Sequence, residues 1–349
     1  MAKTLRFVIL GFVVSLVTSL AAAQSYTITD LGGQNAIGSA ISPSGNVVGI
    51  QLAVVGFFWS PNHGLLKLPD LPGGNISHAN GINAKGVIAG ESTANVEGYL
   101  LTHAVIWTNG KIQDLGTFTT LGQSWASAIN TAGQVVGSAN PLDSNQHAFL
   151  WTSATGMQDL GTLPGGSYST ALGINRFGQV VGYSDLASGN SVAFLWSKST
   201  GMQDLATLPG GGTSAAIAIN DLGQIVGGSN CGAACSRAVL WSKQAGSVQD
   251  LGLLTGSIYT DAYSINNKGQ VVGAAGYSSG PGHAFVWSQT TGMQDLADLI
   301  PANSGWTLQS ANAINESGQI TGQGTLNGAG HAFLLTPVSA SSESSQNTN

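Results

Sequence analysis

Apolar residues in this chain fall in short runs separated by turn-forming residues, and the same order of runs keeps returning. The clearest copy spans Ala171 to Leu205: A-L-G-I-N-R-F-G-Q-V-V-G, a polar connector, V-A-F-L-W, and then G-M-Q-D-L. Aligning on I-N-x-x-G brings Ser42, Asn83, Asn130, Asn175, Asn220, Asn266 and Asn315 into register, 41 to 49 residues apart. Each unit predicts four strands, lettered A to D in chain order. A and B form a hairpin whose Asn-x-x-Gly turn is capped by the Asn side chain, with Gly at the position needing positive φ. Strand C is His147-Ala148-Phe149-Leu150-Trp151 and its equivalents, which end at Trp59, Trp107, Trp196, Trp241, Trp287 and, in the last copy, Leu335. Its near-continuous apolar character predicts cover on both faces. Strand D is Met-Gln-Asp-Leu or a variant, carrying Asp70, Asp114, Asp159, Asp204, Asp250 or Asp295.

Four short strands per unit of about 45 residues match one blade of a β-propeller. The expected fold is therefore all-β, a seven-bladed β-propeller of four-stranded blades. The last copy stops at Thr336 without a strand D, while Tyr26-Thr27-Ile28-Thr29-Asp30-Leu31 opens the chain beyond its leader. This N-terminal strand is expected to complete the last blade and close the ring, leaving no free sheet edge at the seam. Strand A is rich in small residues, as in Ser127-Ala128-Ile129, which suits a crowded inner strand beside a channel. The six strand-C Trp rings, each able to bury about 150–250 Å², are expected to hold blade to blade.

Composition changes the picture in two ways. Only 7% of residues are charged, against about 25% in typical soluble proteins, so Ser, Thr, Asn, Gln and backbone must wet the surface, as suits an exported protein. Sixteen acidic residues against ten basic ones give a formal net charge of −6, which offers no footprint for phosphates and excludes nucleic acid as the expected partner. Residues 1–23 carry Lys3 and Arg6, an apolar run from Phe7 to Leu20, and Ala21-Ala22-Ala23. That is the pattern of a signal peptide cut after Ala23, with an apolar run shorter than the roughly 20 residues of a membrane span. The reading is a leader at 1–23, a propeller at 24–338 and a Ser-rich, disordered tail at 339–349. It places the mature chain outside the cell or in a periplasm, without a membrane span and as a monomer.

The units resemble the HAF repeat, a family of extracellular bacterial repeat proteins named for its His-Ala-Phe motif. That motif stands at His147-Ala148-Phe149, His283-Ala284-Phe285 and His331-Ala332-Phe333, with His103-Ala104-Val105 close to it. Gly156-Met157-Gln158-Asp159-Leu160-Gly161 and Ile129-Asn130-Thr131-Ala132-Gly133-Gln134 also fit, so the resemblance runs over about residues 27 to 336. It implies export and a repeat fold; no reaction is assigned to the family, so no catalytic residue is carried over. Blade one departs most, with Gly56-Phe57-Phe58-Trp59 in place of the motif and Ser42-Pro43 in place of Asn and its neighbour.

Most residues with chemical character belong to the repeat. His103, His147, His283 and His331 hold one repeat position, and they and the strand-D Asp residues read as structural. Gly-Gly at 73–74, 165–166 and 210–211 precedes strands, so the helix N-terminus that a phosphate loop requires is missing. What remains is the face on which the D–A and B–C loops emerge. Glu91, Asp143, Asp185 and Asp261 are placed in or beside those loops, with Glu97 and Asp298. Trp125 and Trp306 lie outside the Trp repeat and are placed in D–A loops, as are Tyr168 and Tyr259, with His78 at a comparable position. Aromatic faces beside carboxylates suit stacking on sugar rings or clasping a peptide. The expectation is a binding module for a glycan or a surface protein. The alternatives are a structural matrix protein, or a glycan hydrolase or lyase using two carboxylates about 5–9 Å apart. No H-E-x-x-H or EF-hand pattern occurs, so no catalytic residue, cofactor or metal is assigned. Cys231 and Cys235, in the B–C loop of blade five, read as a local disulfide in an oxidising compartment.

Overall fold

A computed structural model describes residues 24–140, 145–232, 235–242 and 247–338. The leader at 1–23, Asp143 and the tail at 339–349 lie outside the described residues. Seven antiparallel sheets of four strands each form a closed seven-bladed propeller. Blade three shows the plan: A is Gln123–Ile129, B is Val135–Asn140, C is His147–Thr152 and D is Gly156–Asp159. Blade seven takes Trp306–Ile314, Ile320–Leu326 and Ala329–Pro337 from the end of the array. Its outer strand is Tyr26–Asp30, with Tyr26 opposite Pro337 and Asp30 opposite Phe333.

The Asn of each A–B turn caps the turn and also links blades. In Asn175, Oδ1 accepts from the N–H groups of Phe177 and Gln179 at 3.1 Å, and Gly178 takes φ +74°. Its Nδ2 donates to the carbonyl of Asn220 in the next blade at 3.2 Å. Six such links run from Asn83 round to Asn315, which donates to the Ser42 carbonyl and so crosses the seam. Ser42 keeps the same turn, accepting the Asn46 N–H on its hydroxyl. It has no amide to reach Asn83, so the first-to-second-blade link is the one missing from the circle.

The strand-C rings pack against the preceding blade, as the repeat predicts. Trp107 clusters with Val48 of blade one, Trp196 with Val136 and Leu150 of blade three, and Leu335 takes the same place against Val272 and Val286 of blade six. Trp107 and Trp241 also donate from Nε1 to the carbonyls of Pro69 and Ala206, just beyond the previous blade's strand D.

A hydroxyl that opens strand A makes a second seam. Ser124, Ser169, Ser214 and Thr260 accept from the strand-C Ala N–H of the preceding blade at 2.8–3.1 Å. The L-P-G-G loops before strand A are tight turns, with Gly74, Gly166 and Gly211 donating to Leu71, Leu163 and Leu208 at 2.9 Å. Pro at the second position and a positive-φ Gly at the third give a type II turn, so the Gly-Gly pairs are accounted for by loop geometry.

Candidate functional site

Every strand A carries a one-residue bulge against strand B just before its end, and that bulged residue lines the central channel; strand A of blade seven has a second bulge, at Gln309. In blades seven, one, two and three it is Asn312, Ser39, Asn80 and Ser127; in blades four, five and six it is Leu172, Ile217 and Tyr263. An inserted residue bends the strand and re-aims a side chain. Repeated seven times, it creates one row that is free of the blade-packing pattern. A strand-B glycine makes room for each bulge: a Cβ at Gly137 would overlap the Trp125 carbonyl oxygen, and one at Gly182 the Thr170 carbonyl oxygen. The channel encloses about 580 Å³, and none of its lining residues is charged. Each inner strand ends in isoleucine, from Ile41 to Ile314, and these seven residues form an apolar collar at the A–B end of the channel. Beyond the collar, a smaller depression of about 210 Å³ on the opposite face holds Arg176, Asp221, Asn267 and Glu316.

The described residues among those singled out in the sequence lie on the D–A and B–C side, nearer the axis than predicted. Trp125 falls inside the inner strand Gln123–Ile129 rather than in a loop, and Trp306 and Tyr259 open the inner strands Trp306–Ile314 and Tyr259–Ile265. The hydroxyl residue that seals each blade to its predecessor precedes Trp125 directly, so pairing starts before the tryptophan. His78, Trp125 and Asp261 occupy the same repeat position, two residues before the bulge, in blades two, three and six.

Two of these residues form a built pair. His78 and Glu91 face each other across strands A and B, with Nδ1 2.8 Å from Oε1; His78 Nε2 is 3.2 Å from the Ala53 carbonyl of blade one. Glu91 Oε2 accepts from Asn80 Nδ2 at 2.7 Å. The hydrogen bond to Glu91 raises the His78 pKa above its ordinary value, against a smaller lowering by burial.

Asp185 is a loop clamp. It accepts from the N–H groups of Ser167 and Tyr168 at 2.8 and 2.7 Å and from the Ser167 hydroxyl at 3.0 Å. Desolvation pushes its pKa up, but these donors outweigh it and hold the carboxyl below the usual range. Tyr168 stacks on Tyr183 at 6.0 Å. Asp261 borders a cleft of about 290 Å³ together with Tyr183 and Ser236; burial raises its pKa, partly offset by the Ser236 hydroxyl. Trp306 packs edge-on against His331 and Phe333, with ring centroids 6.2 and 6.0 Å away, and belongs to the core of blade seven. Tyr259 is 43% exposed. Glu91, Asp185 and Asp261 sit in three different blades. Glu97 lies in the B–C turn of blade two, and Asp298 in a short 3-10 turn, Leu296–Leu299.

The repeat His and Asp residues pair with one another. His103, His147, His283 and His331 place Nδ1 2.6–2.9 Å from Asp114, Asp159, Asp295 and Asp30. In blade five Arg237 stands at the His position and approaches Asp250 at 3.8 Å. In Asp159 the other carboxylate oxygen caps the turn after strand D, accepting the Gly161 N–H at 2.7 Å, whereas in Asp30 one oxygen takes both His331 and the Gly32 N–H. Cys231 and Cys235 are joined in a disulfide, with Cα atoms 5.1 Å apart. Among the described residues, no group of three or more His, Cys, Asp or Glu is arranged to hold a metal ion.

Sequence comparison matches residues 74–208, from the loop before blade two to the loop after blade four, to a family described as protein of unknown function (DUF3466). No curated protein sequence matches the chain significantly. Among solved structures, virginiamycin B lyase from Staphylococcus aureus is similar at 10% identity and a TM-score of 0.55, over 90% of this chain and 100% of that one. The β-propeller domain of Cps50 (Swd1) from Myceliophteria thermophila is similar at 9% identity and a TM-score of 0.50, over 86% and 96%. TolB from Acinetobacter baumannii is 14% identical with a TM-score of 0.47; the match covers 75% of this chain and 62% of TolB, less than two thirds of its length. At these identities the likeness is one of fold.

Proposed function

We propose that the chain is an exported, non-catalytic propeller of HAF-like repeats that binds a glycan or a surface protein through the face on which its D–A and B–C loops emerge. The observation that carries this reading is a channel of about 580 Å³ lined without charge, with His78, Trp125 and Asp261 on the inner strands above its bulged row. Ligand sites are concave, mostly apolar and supplied with a few placed polar groups, and this mouth has those properties. The hydrolase or lyase alternative needs two cooperating carboxylates. Glu91, Asp185 and Asp261 lie in separate blades, and the first two are occupied by local donors.

Trp125→Ala and Tyr259→Ala are the informative substitutions, because Trp306 supports the core of blade seven. On a glycan array or in a pull-down from surface extracts, the wild-type signal is expected to fall in the double variant while its thermal midpoint stays near that of the wild type. An unchanged signal would remove this face as the binding surface.

A further inference from the structure

The residues two before the collar isoleucines vary in size from blade to blade, although the row that follows them does not. The positions beside them are held to small residues: Ala40, Gly81, Ala128, Gly173, Ala218, Ser264 and Ala313 follow the bulge. The bulged position itself ranges from Ser to Tyr. A row that packs against a neighbouring blade is restricted by that neighbour; this one faces the channel, and its Asn80 and Asn312 amides also reach a carbonyl of the next blade. Its variation is also sorted around the axis. Asn312, Ser39, Asn80 and Ser127 come from four consecutive blades and make a polar arc, while Leu172, Ile217 and Tyr263 come from the other three and make an apolar one.

The polar arc has hydrogen-bonding capacity to spare. Asn80 Nδ2 donates to Glu91 Oε2 at 2.7 Å and to the Ala126 carbonyl at 2.9 Å, which uses both of its N–H bonds and leaves Oδ1 as an acceptor. Asn312 Nδ2 donates once, to the Gly38 carbonyl at 3.0 Å, and its Oδ1 accepts from Ser310, which leaves one N–H. The hydroxyls of Ser39 and Ser127 make no hydrogen bond to the protein among the described residues. Acceptor, donor and two hydroxyls on one side match a row of ring hydroxyls, each of which both donates and accepts. The facing arc offers an aromatic ring and two aliphatic side chains, the surface on which the C–H face of a sugar stacks.

We infer that the channel above the isoleucine collar binds one neutral hexopyranose unit, its hydroxyl edge on the Asn80 arc and its C–H face on Tyr263, Leu172 and Ile217. This rests on the binding reading above and moves the contact from the rim into the channel. An uncharged lining selects a neutral ligand, because a carboxylate or ammonium would be desolvated there without a partner. The volume falls within the roughly 300–1,000 Å³ of small-molecule sites. Burial, with smaller contributions from Asp261 and Tyr259, pushes the Tyr263 phenol up to about 12, so its ring stays neutral over the physiological range. The collar, apolar and ring-shaped, sets the depth at which a polar ligand stops.

Titration calorimetry with methyl glucopyranoside, methyl galactopyranoside and N-acetylglucosamine, against glucuronate and glucosamine, tests this on the intact chain. Saturable binding of at least one neutral sugar is expected, with none of the two charged ones. Ser127→Tyr fills the channel and Leu172→Glu charges it; each is expected to weaken binding about tenfold or more with little change in thermal midpoint. If one variant fails to fold, the other decides. Equal binding of glucuronate, absence of saturable binding to all three neutral sugars, or full binding in a folded Ser127→Tyr would overturn the inference. Binding that survives Ser127→Tyr but is lost in Trp125→Ala would leave the rim reading standing and remove the channel; a blank glycan array and pull-down would remove the rim reading.

Discussion

At Asn175 a single amide ends one strand, begins the next and ties its blade to the neighbour. Removing it in Asn175→Ala leaves the Phe177 and Gln179 N–H groups and the Asn220 carbonyl short of partners, at a cost of about 1–3 kcal/mol. Asn175→Asp separates the two roles, since a carboxylate still accepts both N–H groups but cannot donate to Asn220. Chemical denaturation should rank wild type above Asp above Ala. The converse change, Ser42→Asn, supplies the link absent between blades one and two and should gain about 1 kcal/mol, read as a higher denaturation midpoint at unchanged slope. The capping half of this role was legible in Asn-x-x-Gly; the inter-blade half was not, because a sequence shows no partner from the next repeat. His78 and Glu91 were picked out separately as candidate residues, and their contact depends on strand register. The His78 pKa lies above its ordinary 6.5 because of Glu91. The pair's contribution to stability is therefore complete below pH 6.5 and is lost as pH climbs through the raised value. The stability gap between wild type and Glu91→Gln should accordingly be widest in mild acid and close toward neutral and alkaline pH, and NMR titration of His78 should shift downward in the variant.

Strands and turns were readable from periodicity, yet the feature that shapes the channel was hidden. A period-two reading cannot show an inserted residue, so Ser127 or Tyr263 looks like one more strand position. The signal was present in another strand: each V-V-G run of B closes on a glycine whose φ is unremarkable, and that glycine is there for space. The same limit explains Trp125 and Trp306, read as loop residues because their blades lack a loop-like boundary signal where pairing begins. Two glycines of blade three test the distinction. Gly133 takes φ +84° with open space around it, whereas a Cβ on Gly137 meets backbone. Gly133→Ala should cost about 1 kcal/mol from the left-handed conformation. Gly137→Ala should cost about 3 kcal/mol, the upper end for overpacking that no side-chain rotation relieves. A reversed order in thermal unfolding would remove the bulge as the reason for the strand-B glycines.

Closure of the whole ring was legible because the final repeat lacks a strand D and Tyr26 to Leu31 offer one. The seam carries more than the five paired positions from Tyr26 to Asp30. Leu31 donates to the Ala332 carbonyl at 3.1 Å, Asp30 takes the repeat's acidic place beside His331 at 2.9 Å, and Tyr26 is 2% exposed. Removing residues 24–31 would strip the outer edge from Ala329–Pro337, leaving a template for pairing with other chains, so size-exclusion chromatography should show association. A synthetic peptide of residues 24–31 should reverse it, and a truncated chain that stays monomeric and equally stable would mean the seam is held by the channel-side links alone. Alkaline pH probes the same closure in the full chain. Burial pushes the Tyr26 phenol up to about 12, so the folded ring holds that proton more tightly than the unfolded chain does. The contribution is intact below pH 10 and fades between 10 and 12, by at most about 2–3 kcal/mol for a shift of this size. Tyr26→Phe has no proton to lose there. Its stability relative to wild type should be flat with pH up to 10 and then rise, whereas a flat difference throughout would place Tyr26 in contact with water and the ring open at its seam.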